Sequence, residues 1–432
     1  MKQKLPWQLR SYQKISAYAE PLLPLFLWKR ERKGLEDRSR IQERRGIPTQ
    51  LRMDGALIWI HGASVGELLS MLPIVERLTS QGIRVLVTSG TRTSAKVVSE
   101  RLPPGAIHQY MPLDAPTYVQ RFLTYWHPDL ALFAESELWP NFIFELKRMR
   151  IPLVLVNARM SDRSFARWSK WNHVIKPLLD SIPLYVAQSE EDARRFAVLG
   201  ASHVHVGGNI KHDCDAPPAD MKVVAQYSGF TAGRPVWVAS STHPGEDEIF
   251  LQTHMILKQR YPGLLTIIAP RHPDRGEDVA ALIMQTDLKC VRRSMGHVPD
   301  RSVSIYIVDT LGELGIFYRL APIVVMAGSF VPIGGHNPIE AIKLGAAVFH
   351  GPHTHNFRDL YKELDTRRGA LLVSESHLLA HALDEYFRNP DYIREMARTG
   401  LETVTEHGGA INNIVRIIEP FVAALKLGKQ GT

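Results

Sequence analysis

Three short strings carry the acidic and basic side chains best placed for chemistry. In Ile60-His61-Gly62-Ala63-Ser64-Val65-Gly66-Glu67 a carboxylate stands behind two glycines, where an apolar run gives way to an amphipathic one. A carboxylate at such a strand-to-helix turn can accept a proton from a weak nucleophile such as an alcohol, if it lies within hydrogen-bond reach. Ser64-x-x-Glu67 also matches a capping box, with Ser64 as N-cap and Glu67 as a first-turn acid favoured by the helix dipole. Spacing alone favours the cap. Gly62 and Gly66 would let the backbone turn sharply and let a bulky partner come close. Residues 135–141 (ESELWPN) set Glu135 and Glu137 two apart on one side of an extended segment. A plainer reading makes Glu137 a helix-start acid, Trp139 a core residue and Pro140 the first helical residue. Lys211, in 207–213 (GGNIKHD), is by itself an ordinary loop lysine. Asn157, Arg159, Ser161 and Ser164 could cap helices or meet anionic groups.

A second set of strings is rich in small residues and helix starts, whose free N–H groups suit phosphate. These are 240–246 (SSTHPGE), 269–275 (APRHPDR), 310–315 (TLGELG) and 327–340 (AGSFVPIGGHNPIE). Ser241 and Thr242 precede a helix and could cap it or bond phosphate. In the last string, which contains Ser329, Gly335 and Ile339, the glycines allow close backbone approach and Asn337 can cap. Pro338 starts the helix without wasting a donor, and Glu340 can accept from sugar hydroxyls; a tidy N-cap explains the same residues. His336, His350, His353 and His355 cluster in sequence, but not at the spacing that puts pairs on one helix face, so no metal is expected.

The elements that must position these residues alternate. From residue 57 short apolar strands (LIWIHG, RVLVTSG, IHQYMPL, DLALFAE, LVLVNA, LYVAQ) are interleaved with helical patterns, as in a parallel sheet covered on both faces. A proline-bearing stretch at 213–222 breaks the pattern. It then resumes with PVWVASS, LLTIIAP, SIYIVDT, PIVVMAG and AAVFHG, before a long helical region from about Ser374. This predicts an α/β chain: a Rossmann-like domain at 51–212, a linker at 213–222, a second Rossmann-like domain at 223–405 and a C-terminal helix at 406–432 packing back on the first. Two doubly wound halves would bring the carboxyl ends of their sheets face to face across a cleft.

Of the 432 residues, 45% are hydrophobic and 22% charged, enough for two domains with cores of their own. The first 50 residues hold 12 Lys and Arg against 5 Asp and Glu, an excess of 7 out of a net charge of +8. So concentrated a charge argues against a nucleic-acid groove and for an anionic membrane surface. Residues 15–28 (ISAYAEPLLPLFLW) are apolar but interrupted by Glu20, Pro21 and Pro24, and fall short of the roughly 20 residues of a spanning helix. With Trp7, Tyr12, Tyr18 and Trp28 beside Lys29, Arg30, Arg32 and Lys33, they predict a segment lying in the interface; a helix packed on the first domain is the alternative. Cys214 and Cys290 form neither a disulfide framework nor a metal spacing, and are expected to be partly buried thiols of a reducing compartment.

In their order and spacing, these strings closely resemble those of the 3-deoxy-D-manno-octulosonic acid (Kdo) transferases of lipopolysaccharide assembly, from the leader to GPHTHNF at 351–357. ELWPN and GGHNP are the most specific. Departures are Ala327 in place of a family glycine, Ala341-Ile342 after Glu340, and Lys33-Gly34-Leu35-Glu36 in the leader; none removes a charged or nucleophilic group. The resemblance implies the GT-B fold and inverting transfer of Kdo from CMP-Kdo to a hydroxyl of a lipid A precursor, with no metal or other cofactor. It further implies Glu67 as proton acceptor and Glu137 with Lys211 as transition-state stabilisers. Pro270, Arg271, Gly312, Glu313, Leu314, Asn337, Pro338, Ile339 and Glu340 would contact CMP. Ser64, Gly66, Ser241, Thr242, His272, Ser329, Gly335 and Asn356 form a secondary set, Asn356 closing over the donor. The partners expected are CMP-Kdo, the lipid acceptor and anionic lipid on the cytoplasmic side of the inner membrane, with no nucleic acid. Another lipid-directed nucleotide-sugar transferase, or a non-catalytic membrane-surface binder whose Glu67 only caps, would share many of these features.

Overall fold

A computed structural model describes residues 5–213 and 216–427, so Cys214 lies outside the described residues. The chain forms two compact units, Met1–Asp213 with Gly408–Thr432, and Cys214–His407.

The first unit is built on a parallel sheet of β1 (Leu57–His61), β2 (Arg84–Ser89), β3 (Ala106–Tyr110), β4 (Leu130–Ala134), β5 (Leu153–Ala158), β6 (Leu184–Ala187) and β7 (Val204–Val206), in the order β3-β2-β1-β4-β5-β6-β7. Every residue of β1 is buried, as a strand covered on both faces requires. Leu57 and Trp59 enter one core with Phe122, Phe133 and Phe142, while Ile58 and Ile60 enter the other with Leu68 and Ile74. The C-terminal helix Ala410–Leu427 completes this second core with Ile414, Ile418 and Val422. Asp213 caps the start of that helix, its two carboxylate oxygens accepting from Gly409 N and Ile411 N at 2.6 Å.

The second unit repeats the plan with β8 (Val236–Thr242), β9 (Leu265–Pro270), β10 (Cys290–Arg292), β11 (Ile305–Ile307), β12 (Ile323–Met326), β13 (Ala347–His350) and β14 (Ala370–Leu372), in the order β10-β11-β9-β8-β12-β13-β14. β7, β10 and β14 match none of the apolar runs in the sequence. Each is a three-residue strand at a sheet edge, without a long apolar run of its own, and is held by its neighbour's ladder. The stretch 213–222 is not all linker either, because helix Met221–Thr231 begins inside it, with the Asp220 side chain accepting from Lys222 N.

The leader forms helices Trp7–Ala19 and Leu23–Arg32 on the first unit. Leu9 and Leu27 are buried, and Tyr12 donates to Asp114 at 2.9 Å. The opposite face leaves Trp7, Ile15, Tyr18, Leu22, Leu25, Phe26 and Trp28 exposed. Below it, Glu36 pairs with Arg30 and Arg44, and Glu43 takes a two-pronged contact from Arg40. Glu36, Glu43 and Arg44 are buried, and such buried acids need this kind of pairing. Among the described residues, no helix is long and apolar enough to cross a membrane.

Candidate active site

In each sheet the first strand has later strands on both sides, and the switch point lies between β1 and β4 in the first sheet and between β8 and β12 in the second. The carboxyl ends of the strands flanking such a point form the natural ligand crevice of a doubly wound sheet. Glu67 follows β1, and Glu135 and Glu137 follow β4. In the other unit, Ser241 and Thr242 end β8, and Gly328 follows β12.

Helix Val65–Ser80 starts at Ser64, whose Oγ accepts from Glu67 N at 3.2 Å. The Glu67 carboxylate turns back on the same turn, accepting from Ser64 Oγ at 2.7 Å and from Ala63 N at 2.9 Å. Burial raises the Glu67 carboxyl above its ordinary range, the hydroxyl and N–H donors oppose this, and the negative charges of Glu135 and Glu137 add to the rise. The capping box thus fixes the orientation of a carboxylate that holds a proton more readily than usual. The glycines do not serve as sharp turns, since neither has a positive φ. A Cβ on Gly62 would lie 3.0 Å from Leu68 Cδ2, so Gly62 permits close packing, whereas one on Gly66 would meet nothing within 4 Å.

Residues 134–137 form a turn, closed by Glu137 N donating to the Ala134 carbonyl, and not an extended segment, because Glu135 adopts a left-handed backbone (φ 55°). This directs the two carboxylates to different partners. Glu135 Oε1 accepts from Lys211 Nζ at 2.6 Å. Glu137 accepts from Trp139 Nε1 at 2.7 Å and lies 3.5 Å from His61 Nε2. Burial pushes the Glu137 carboxyl up, but the His61 and Trp139 contacts outweigh it and hold the group below its ordinary value. Pro140 does begin helix Pro140–Arg148, yet Trp139 is 38% exposed and is no core residue. Lys211 sits in the short turn Ile210–His212, held by its carboxylate. Ser161 caps helix Asp162–Lys170.

In the second unit the side chains build a loop. Glu246 is fully buried and accepts from His243 N (2.9 Å), Gly328 N (2.8 Å) and Phe330 N (3.0 Å), tying the loop after β8 to the loop after β12. The Gly328 carbonyl in turn accepts from Gly334 N and Gly335 N. Gly328, Gly334 and Gly335 all have positive φ, while Ala327, just after β12, does not. Asn356 Nδ2 donates to the Ile333 carbonyl at 3.2 Å and so braces this loop. His243 and His336 stack with their Nε2 atoms 2.8 Å apart, and the edge of His272 meets His243. Burial and the neighbouring His243, Arg271 and His272 push His336 down to about 4. Arg271 is exposed where β9 ends at Pro270. Asn337 Oδ1 accepts from Ile339 N at the start of helix Ile339–Lys343, and burial raises the carboxyl of Glu340 in its first turn.

A family model described as 3-Deoxy-D-manno-octulosonic-acid transferase (kdotransferase) matches residues 39–214. The 3-deoxy-D-manno-octulosonic acid transferase of Haemophilus influenzae is 32% identical over 418 residues, covering 95% of this chain and 98% of that protein. This chain belongs to the Kdo transferase family. A probable mitochondrial 3-deoxy-D-manno-octulosonic acid transferase of Arabidopsis thaliana is 34% identical over 402 residues, 90% of each chain. The chain is therefore a glycosyltransferase. Its fold is of the GT-B type: a Rickettsia africae glycosyltransferase structure superposes with a TM-score of 0.58 at 12% identity, over 86% of this chain and 99% of that one.

Within this Kdo transferase fold, several secondary residues have internal duties that their sequence positions did not disclose. Ser241 (φ 63°) and Thr242 lie in β8 and do not cap the next helix; Thr242 Oγ1 bonds Asp247 at 2.6 Å, and Asp247 pairs with Arg275. The Ser329 hydroxyl is used by the Met326 carbonyl and Gly351 N. Glu313 is held by Arg293 at 2.6 Å and by Thr310; beside it Gly312 is exposed, while Leu314 packs against the core. Among the described residues, no three His, Cys, Asp or Glu side chains are arranged to hold a metal ion. His350 bonds Asp365, away from the His243–His336 pair. Sequence reasoning passed over His61, His243 and Glu246, and gave Glu135 no role. His61 had no signal beyond its place at a strand end, whereas Glu246, one residue before a helix, resembled any helix-start acid.

Proposed function

We propose that this chain transfers Kdo from CMP-Kdo to a hydroxyl of a lipid A precursor with inversion, and that Glu67 is the proton acceptor. The observation that carries the role is the geometry of Glu67. Its carboxylate is fixed by Ser64 and Ala63, bonded to no cation, and raised toward the range in which a base can both take and release a proton. As the acceptor O–H loses its proton to Glu67, its oxygen forms the bond to the anomeric carbon, and the bond to phosphate breaks with its electrons leaving on CMP. Positive character then builds on the sugar and negative charge on the phosphate. Glu137 suits the first and Lys211 the second. The braced loops of the second unit, with Arg271, Gly312, Asn337 and Glu340, hold the nucleotide, and no metal is required.

The leader docks the chain on the membrane that carries the acceptor. Its exposed Trp7, Ile15, Tyr18, Leu22 and Phe26, beside Lys29 and Lys33, combine an apolar face with basic charge. The direct test is the mass of the product after purified protein is incubated with CMP-Kdo and tetraacyl lipid A precursor. A gain of one or more Kdo units is expected; no gain would refute the assignment.

A further inference from the structure

The first leader helix has two faces with different neighbours. Leu9, Tyr12 and Ser16 follow one another at helical spacing and turn toward the rest of the unit, while Trp7, Ile15 and Tyr18 are exposed. What the inner face meets is the start of helix Pro140–Arg148, just beyond Glu137. That helix has no side-chain cap of its own, since Trp139 stands at the N-cap and Pro140 has no N–H to offer. Its free donors go to Asp114, in the loop between β3 and helix Pro116–Trp126: Oδ2 accepts from Asn141 N and Oδ1 from Phe142 N, both at 3.1 Å. A carboxylate there also faces the positive end of the helix dipole. The leader completes the arrangement. Tyr12 donates to the same Asp114 Oδ2 at 2.9 Å, the buried Asn141 donates its side-chain amide to Ser16 Oγ at 3.0 Å, and Leu9 shares one core with Phe142 and Ile143.

We propose that Asp114 and Tyr12 are positioning residues for the acidic turn: Asp114 fixes the helix start that follows the turn, and Tyr12 fixes Asp114, so that the leader is part of the catalytic corner as well as its membrane anchor. This rests on the reading of Glu137 as a charge stabiliser and of the leader as the docking face. The short segment from Glu137 to Asn141 is pinned at both ends. On the strand side Glu137 N donates to the Ala134 carbonyl at 3.4 Å, on the helix side Asn141 N is held by Asp114, and between them Trp139 Nε1 donates to the Glu137 carboxylate at 2.7 Å. Release of the helix side would leave the turn attached to its strand and free Trp139, and with it the carboxylate that Trp139 orients. A cap supplied by a distant loop, and not by the preceding residue, makes the helix start depend on tertiary contacts, and here one of those contacts belongs to the leader.

The test compares full-length wild type, Tyr12→Phe, Asp114→Asn and the double variant with CMP-Kdo and detergent-dispersed acceptor, so that membrane binding does not limit the rate. Tyr12→Phe removes one hydroxyl from a ring that is 37% exposed and keeps the fold. It should lower kcat about fivefold, and Asp114→Asn on the order of 10- to 100-fold, since a displacement of about 1 Å far from the chemistry is enough for such a loss; donor KM should stay within about threefold in both. The double variant should be no slower than Asp114→Asn, because a hydroxyl that acts only through that carboxylate adds nothing once it is gone. The second readout is fluorine NMR of protein labelled with 5-fluorotryptophan, with the Trp139 resonance assigned by its loss in Trp139→Phe. Both single variants should shift or broaden that resonance, while binding of Tyr12→Phe to anionic phospholipid vesicles stays within about twofold of wild type. A Trp139 resonance unmoved in both variants, losses that multiply in the double variant, or a Tyr12→Phe protein whose only loss is vesicle binding would overturn the positioning role. A resonance that moves while kcat stays at the wild-type level would uphold the link from leader to turn and overturn the reading of Glu137 instead.

Discussion

The carboxyl-end corners of the two units are built on the same topology and put acids to opposite uses. In the first, Glu67, Glu135 and Glu137 are half-buried, each held by one or two neighbours, with their charges close enough to perturb one another. In the second, Glu246 and Asp247 are turned into the protein, where they tie loops together and leave glycine-rich backbone around the rim. On the function proposed above, side chains in the first corner act and those in the second shape a surface. Damage to the first should therefore appear in kcat, and damage to the second in donor binding.

The largest expected effect is that of Glu67→Gln, which keeps the shape of the capping turn and removes the basic carboxylate. We expect kcat to fall about 100- to 10,000-fold, the usual worth of a general base, with CMP-Kdo affinity by calorimetry unchanged. Near-wild-type transfer would erase the contrast between the corners. Next comes Gly334→Ala. At φ 109°, with the new Cβ 2.5 Å from His355 Nε2, it should cost about 1–3 kcal/mol in thermal or urea unfolding. Donor KM should rise about tenfold while kcat changes little.

A smaller effect separates the corners by pH. Activity should fall as pH drops through the raised value of Glu67, so the acid limb of kcat/KM should lie above the ordinary glutamate value of about 4.3. His336, held near 4, is neutral above about pH 5.5, so a donor-binding limb there belongs to Glu340, whose carboxyl burial also raises, and Glu340→Gln should remove it by calorimetry while leaving the acid limb of kcat in place. An acid limb of kcat that vanished with Glu340→Gln would assign the proton to the second corner. The smallest effect is that of Gly66→Ala. Alanine there gains about 0.5–1 kcal/mol of helix stability and meets no protein atom. A two- to threefold rise in acceptor KM would mark the open space beside Glu67 as acceptor space, and an unchanged KM would place the acceptor elsewhere.

The longer strands were legible because apolar runs bounded by turn residues survive as buried strands, as LIWIH does in β1 and VWVASST in β8. The short edge strands β7, β10 and β14 were not, since the ladder beside them, and not their own pattern, makes them strands. At the site, the Ser64–Glu67 bond was visible in a three-residue spacing. The partner of Lys211 was not. Two acids two residues apart suggest one shared face, and only the left-handed turn at Glu135 sends one to the lysine and the other to His61.

By itself, then, the sequence determined what local spacing and composition can encode: the alternation of strands and helices, the capping turn that holds Glu67, the basic and aromatic leader, and the ordered motifs shared with Kdo transferases. Tertiary structure decided which charges meet. Residues 67, 135, 137, 157 and 211 come from three strand ends and one distant turn, and they are brought together by the parallel order of one sheet. Pairing across such sequence distances depends on backbone angles and strand register, which no local pattern of residue types records.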